Sequence, residues 1–140
     1  MTDAFVLDAW ALLAFLQGEE PAASRVKSLL QEARNEKVIL YVSILNLGEV
    51  YYRIGKTRGQ SEADALMEEL QLLPLIILPA SNEDVMAAAR LKMRYSISYA
   101  DAFAVSTTLQ HSATLLTGDP ELLELAGKFR IEKLERKTGS

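Results

Sequence analysis

Short runs of β-branched and other apolar residues alternate along this chain with longer stretches of helical periodicity, and that alternation limits the folds open to it. Phe5–Leu7, Val38–Val42, Leu75–Leu78, Thr114–Thr117 and Phe129–Leu134 read as strands. Asp8 stands where an N-cap would, ahead of a helix over Ala9–Gln17. Pro21 opens a second helix to about Glu36, with Val26, Leu29, Leu30 and Ala33 as its apolar stripe. Ser43 caps a helix to about Lys56, and Gly59 closes that region. Ser61-Glu62-Ala63-Asp64, Ser81-Asn82-Glu83-Asp84 and Ser98-Tyr99-Ala100-Asp101 have capping-box spacing, before helices to Leu73, Tyr95 and about His111. Gly118-Asp119-Pro120 makes a turn into a short helix over Glu121–Ala126. Apolar strands separated by helices mean a parallel sheet covered on both faces. The expected fold is α/β, a three-layer α-β-α sandwich around a mostly parallel sheet. Such sheets bind ligands beyond the carboxyl ends of their strands, where the strand order reverses.

At 140 residues the chain fits one core, expected over residues 1–136, with a disordered tail at 137–140. There are no cysteines and a single histidine, His111, so disulfides, thiolate zinc sites, a cysteine nucleophile and multi-histidine sites are excluded. A bound metal must be held by oxygen, which selects a hard cation. His111 itself suits a helix end or the surface better than a general base. The apolar runs Ala9–Leu16 and Leu72–Ala80 are far shorter than the ~20 residues of a bilayer span, and no signal peptide is evident. The expectation is a cytoplasmic protein with no membrane partner. A net charge of −4 does not attract nucleic acid in bulk, so any such function needs a local basic patch.

Four carboxylates stand out, and each has an ordinary explanation. Asp8 caps a helix, Asp101 completes a box with Ser98, Asp119 caps ahead of Pro120, and Glu49 precedes Arg53 by four residues, a favourable ion-pair spacing. Together those explanations weaken. Asp8 and Asp119 both follow strands at the end where a doubly wound sheet keeps its site. Asp101 is the only charge in Tyr99–Val105, a segment apolar enough to be buried, and Glu49 lies among Leu45, Leu47, Val50 and Tyr52. Carboxylates converging in a partly buried cleft repel one another, and at least one must protonate unless a cation compensates. No basic residue stands beside Asp8, Asp101 or Asp119, so a divalent cation is the natural counter-charge.

Asp8 after the first strand, Glu49 in Ser43–Glu49, Asp101 in Ser98–Ala102 and Asp119 in Thr117-Gly118-Asp119 resemble the signature of PIN-domain ribonucleases, and the compact length that of VapC-type toxins of toxin–antitoxin modules. The resemblance covers about Asp3 to Leu134. It implies a PIN-like sheet and an Mg²⁺- or Mn²⁺-dependent endoribonuclease. Asp8, Glu49, Asp101 and Asp119 would be its catalytic, metal-holding residues, and its products would carry a 5′-phosphate and a 3′-hydroxyl. It also implies a cognate antitoxin and a homodimer. Ser98 and Thr117 suit the orienting of those carboxylates or of a water. One departure is visible: the family usually has a serine or threonine after the first aspartate, and here Ala9-Trp10 follow Asp8.

RNA attraction would fall to Arg53, Lys56 and Arg58 after Glu49, and to Lys92 and Arg94 before Ser98. These positions also suit solvated helix ends. Trp10, Phe15, Tyr51 and Tyr52 fit packing, with base stacking the alternative at Trp10 because it neighbours Asp8. A rival reading is a catalytically inactive PIN-like domain acting as a protein-interaction module, with Leu12–Leu16, Leu45–Tyr52 and Leu66–Leu73 as its surfaces. A receiver-type phosphoacceptor domain needs a lysine after a late strand, and Gly118-Asp119 stands there instead.

Overall fold

The computed structural model of the chain describes residues 2–137. Of the expected tail, residues 138–140 lie outside the described residues, while the Lys137 N–H donates to the Glu20 carbonyl at 2.8 Å. Five strands, β1 (Asp3–Leu7), β2 (Val38–Ser43), β3 (Ile76–Leu78), β4 (Thr114–Thr117) and β5 (Ile131–Lys133), form one sheet in the order β3-β2-β1-β4-β5. Every pairing is parallel, so the sheet goes beyond the mostly parallel expectation.

Helices cover both faces, which is why the strands are apolar on both sides. Leu7, Leu40, Val42 and Leu116 point into one core with α1 (Ala9–Leu16), α2 (Ala22–Arg34), α3 (Ile44–Arg58) and α4 (Gln60–Gln71). Val6 and Leu115 point into the other, against α5 (Asn82–Arg94), α6 (Tyr99–Gln110) and α7 (Pro120–Leu123). The three-layer sandwich follows from that alternation. Helix α6 is buried without interruption from Asp101 to Thr108, as its nearly uncharged composition demands. Its interior hydroxyls are satisfied locally, Thr107 donating to the Phe103 carbonyl and Thr108 to that of Ala104, both at 2.8 Å.

The three capping-box sequences have three outcomes. Ser81 and Asp84 form the full reciprocal box. At Ser98 the hydroxyl accepts the Asp101 N–H at 3.1 Å, and the Asp101 carboxylate faces a cleft. Ser61 caps nothing. Gly59 takes φ 93°, a conformation open to glycine, and turns the chain directly from α3 into α4, so the helix starts at Gln60 and Ser61 falls inside it. Ser81→Ala should therefore cost about 1 kcal/mol in urea denaturation, whereas Ser61→Ala should stay within about 0.5 kcal/mol of wild type.

Candidate metal centre

Strands β1 and β4 are neighbours at the centre of the sheet, and the chain leaves them in opposite directions, β1 toward β2 and β4 toward β5. A crevice must open above their carboxyl ends. Asp8 is the first residue beyond β1, Thr117 the last of β4, and Asp119 lies two residues further on. Asp8 extends its backbone, caps α1 and accepts the Ala11 N–H on Oδ1 at 2.8 Å. Its Oδ2 accepts the hydroxyl of Thr117, whose Oγ1 in turn accepts the Asp119 N–H at 3.0 Å. Thr117 thus ties the two strand ends together. Asp119 caps α7 through Oδ1, which accepts the Glu121 N–H at 3.0 Å.

The ordinary capping explanations are therefore true for Asp8 and Asp119, and they are also what aims the carboxylates at one place. Asp101, in the first turn of α6, and Glu49, on α3, enter from opposite sides of the sheet. Asn46 docks these two helices, its Nδ2 donating to the Ala100 carbonyl at 3.1 Å. Asp101, Asp119 and Glu49 line an open cleft of about 400 Å³, shared with Trp10, Arg53, Lys56 and Arg136. Asp8 itself is buried, 1% exposed, behind the neighbouring Ala9, which lines the cleft.

Burial pushes the Asp8 carboxyl up to about 7; the bonds from Thr117 and Ala11 pull the other way, and the charges of Asp101 and Asp119 add to the rise. Asp101 is likewise raised to about 7, first by burial and then by Asp119, with Ser98 opposing and Glu49 contributing. Asp119 thus bears on both Asp8 and Asp101, Asp101 on Asp8, and Glu49 on Asp101. Among the described residues the only ion pair made by these four is Glu49 Oε2 with Arg53 Nε at 2.9 Å. Carboxylate oxygens of Asp101, Asp119 and Glu121 lie within 4.8 Å of one another. An oxygen-only donor set of crowded acids, two of them raised to about 7 chiefly by burial, fits a hard divalent cation.

Glu121 was not singled out by sequence. The Asp119-Pro120-Glu121 spacing carried the signal, since an Asp N-cap takes the N–H of the residue two on, which sets Glu121 beside it. Of the cations expected to flank the site, Arg53 and Lys56 line the cleft. Arg58 pairs with Glu62 at 3.5 Å, Lys92 donates to the Ile97 carbonyl at 2.7 Å, and Arg94 lines a separate groove with Leu109. Arg136 reaches the cleft because the segment after β5 bonds to the loop before α2, the Ala22 N–H donating to Glu135 at 2.9 Å. At the departure from the usual pattern, the Trp10 ring lies against Gly118, where a Cβ would come within 2.3 Å of it.

A family model for the PIN domain matches residues 5–128. The chain belongs to the PIN domain family. No curated protein matches it significantly. Among solved structures, its PIN fold is similar to that of VapBC2 from Rickettsia felis, solved on a promoter DNA fragment (TM-score 0.72, 15% identity, 94% of this chain and 99% of that one). It is also similar to VapC20 of Mycobacterium tuberculosis, a sarcin–ricin-loop-cleaving toxin (TM-score 0.70, 13% identity, 87% and 95% covered). FitAcB from Neisseria gonorrhoeae shares 22% identity (TM-score 0.66, 91% and 95% covered). At these identities the likeness establishes the fold. No helix among the described residues of this PIN domain is long and apolar enough to cross a membrane.

Two predictions follow from the crowding. A carboxyl held neutral in the fold but ionised in the unfolded chain stabilises the fold fully below its ordinary pKa, 3.8 for Asp8, and that stability drains away as pH rises to about 7. For Asp8 alone the loss integrates to about 4 kcal/mol. In chelator, the thermal midpoint should fall between about pH 4 and about pH 7, and Mg²⁺ or Mn²⁺ should restore more of it at the higher pH. Separately, Gly118→Ala should cost about 1–3 kcal/mol in chemical denaturation, because the Trp10 ring must move.

Proposed function

We propose that this PIN domain is a metal-dependent endoribonuclease acting as the toxin of a VapBC-type module. The observation that carries the reading is the convergence of Glu49, Asp101 and Asp119 on one cleft, with Asp8 buried within reach of the charges of Asp101 and Asp119, and with Asp8 and Asp101 both raised to about 7 by burial and by their acidic neighbours. Asp101 and Asp119 would hold Mg²⁺ or Mn²⁺, with Asp8, Glu49 and the newly found Glu121 completing the acidic shell. A bound divalent cation supplies Lewis acidity, making a water a stronger nucleophile and offsetting charge that builds on a phosphodiester.

The chain's own residues do the rest. Thr117 orients Asp8 through its hydroxyl, and Ser98 steadies Asp101. Arg53 restrains Glu49, and it and Lys56 offer positive charge on the α3 side of the cleft for the phosphates of an incoming strand. The contacts made by Arg58, Lys92 and Arg94 favour helix-end roles over RNA contact. A toxin–antitoxin complex from Klebsiella pneumoniae shares the fold, which supports a cognate antitoxin as partner; a second copy is what the family resemblance implies. Of the apolar stretches named for such contacts, Leu12, Val50 and Leu70 are core residues, whereas Leu45, Tyr52 and Leu72 are exposed and available.

The test is cleavage of a panel of RNAs. Mg²⁺ should support it and chelator abolish it. Asp101→Asn should lower the rate by more than the roughly 10–100-fold typical of an outer-sphere change, and Thr117→Ala should fall within that range. Cleavage that survives chelation and Asp101→Asn would overturn the metal mechanism. Well-folded protein that cleaves no RNA under any condition would leave the interaction-module reading.

A further inference from the structure

We infer that Asn46 is a positioning residue: it fixes the spacing of Glu49 and Asp101 and thereby makes the acidic site prefer Mg²⁺ over the larger Ca²⁺, an inference that rests on the metal-dependent reading. Asn46 lies on α3 three residues before Glu49, so the two are neighbours on the helix surface. It is wholly buried, and its Nδ2 donates at 3.1 Å to the carbonyl of Ala100, the residue before Asp101. Among the described residues this is the only hydrogen bond between α3 and α6. One side-chain amide therefore ties together the two helices that carry these acids.

Stability alone does not account for an asparagine there. With Nδ2 committed to Ala100, Oδ1 is the one buried side-chain polar atom among the described residues that has no hydrogen-bond partner. Leaving a buried acceptor unpaired costs more than a single neutral hydrogen bond returns, so an apolar side chain of similar size would hold these helices at least as well. What an apolar contact lacks is direction. Glu49 and Asp101 line the same cleft and repel, and the charge of Glu49 is among the causes that raise Asp101. A buried, directed bond resists that repulsion and keeps the two carboxylates at one separation before any ion arrives. Mg²⁺ demands near-octahedral oxygens at about 2.0–2.1 Å, whereas Ca²⁺ accepts looser arrangements at about 2.3–2.6 Å. Slack between the helices therefore costs the smaller, more demanding ion most.

Calorimetric titration of Mg²⁺, and separately of Ca²⁺, into the metal-free full chain reads the effect without any cleavage step. Asn46→Leu removes both the tie and the unpaired oxygen, and Asn46→Ala removes them without adding bulk that could block folding. In chelator, Asn46→Leu should keep the urea midpoint of the wild-type chain. Its Mg²⁺ affinity should nevertheless fall by about 10–100-fold, the range for outer-shell partners of metal ligands. Its Ca²⁺ affinity should fall by less, so that the preference for Mg²⁺ narrows, and Asn46→Ala should narrow it likewise. A wild-type chain that prefers Ca²⁺, or an Mg²⁺ preference unchanged in a folded variant, overturns the inference and leaves Asn46 a structural contact. A wild-type chain that binds neither ion overturns it together with the metal-dependent reading. A preference that narrows as expected, in a chain that cleaves no RNA, upholds the positioning role and counts against the nuclease reading alone.

Discussion

A carboxylate sealed beneath the junction of two diverging strands is the constraint around which this molecule is arranged. Asp8 cannot leave its place, because it caps α1 and receives the hydroxyl of Thr117, and it cannot comfortably ionise there, because burial and two neighbouring aspartates oppose the charge. Removing it would relieve the repulsion but would unpair the Ala11 amide and the Thr117 hydroxyl. The fold therefore keeps an acid whose natural complement is a doubly positive ion. The surrounding groups share the same double duty: Asp119 caps α7 while facing Asp101, and Glu49 pairs with Arg53 while lining the cleft. Capping is how the backbone aims these side chains.

Much of this was legible in the primary structure, and for identifiable reasons. The strands announced themselves by being apolar on both faces, and the burial of α6 by the isolation of Asp101 among apolar neighbours. The order of acids along the chain placed Asp8 and Asp119 after strands, which in a doubly wound sheet is the side where ligands bind. What escaped notice depended on register and turn geometry. Glu121 joins the acids through the turn that bonds its N–H to the Asp119 carboxylate. Arg136 joins the cleft only because the segment after β5 pairs with the loop before α2, a contact between residues more than a hundred positions apart. Ser61 lost its capping role to the left-handed turn at Gly59, a choice that local spacing does not reveal.

The replacement of the usual hydroxyl residue by Ala9-Trp10 illustrates how one departure is absorbed. Asp8 still has a hydroxyl partner, since Thr117 reaches it from the adjacent strand. The space next to it is taken by an indole that requires glycine at position 118 and supports an arginine from the far end of the chain. Positive charge thus reaches the cleft from two remote places, α3 and the segment after β5, in a chain whose total charge is −4. Arg53 neutralises Glu49 directly, whereas among the described residues no cation pairs with Asp8, Asp101 or Asp119, and those three are left for an ion to compensate.

The central claim is that crowded acids surrender protons to a metal, and calorimetric titration of Mn²⁺ into the metal-free chain tests it most directly. Run at about pH 6.5 in two buffers of different ionisation enthalpy, the titration measures protons released per ion bound. Asp8 and Asp101 held near 7 predict release of about one proton or more per ion, shrinking toward zero at about pH 9. Binding that releases no protons at the lower pH, or no binding at all, would contradict the account.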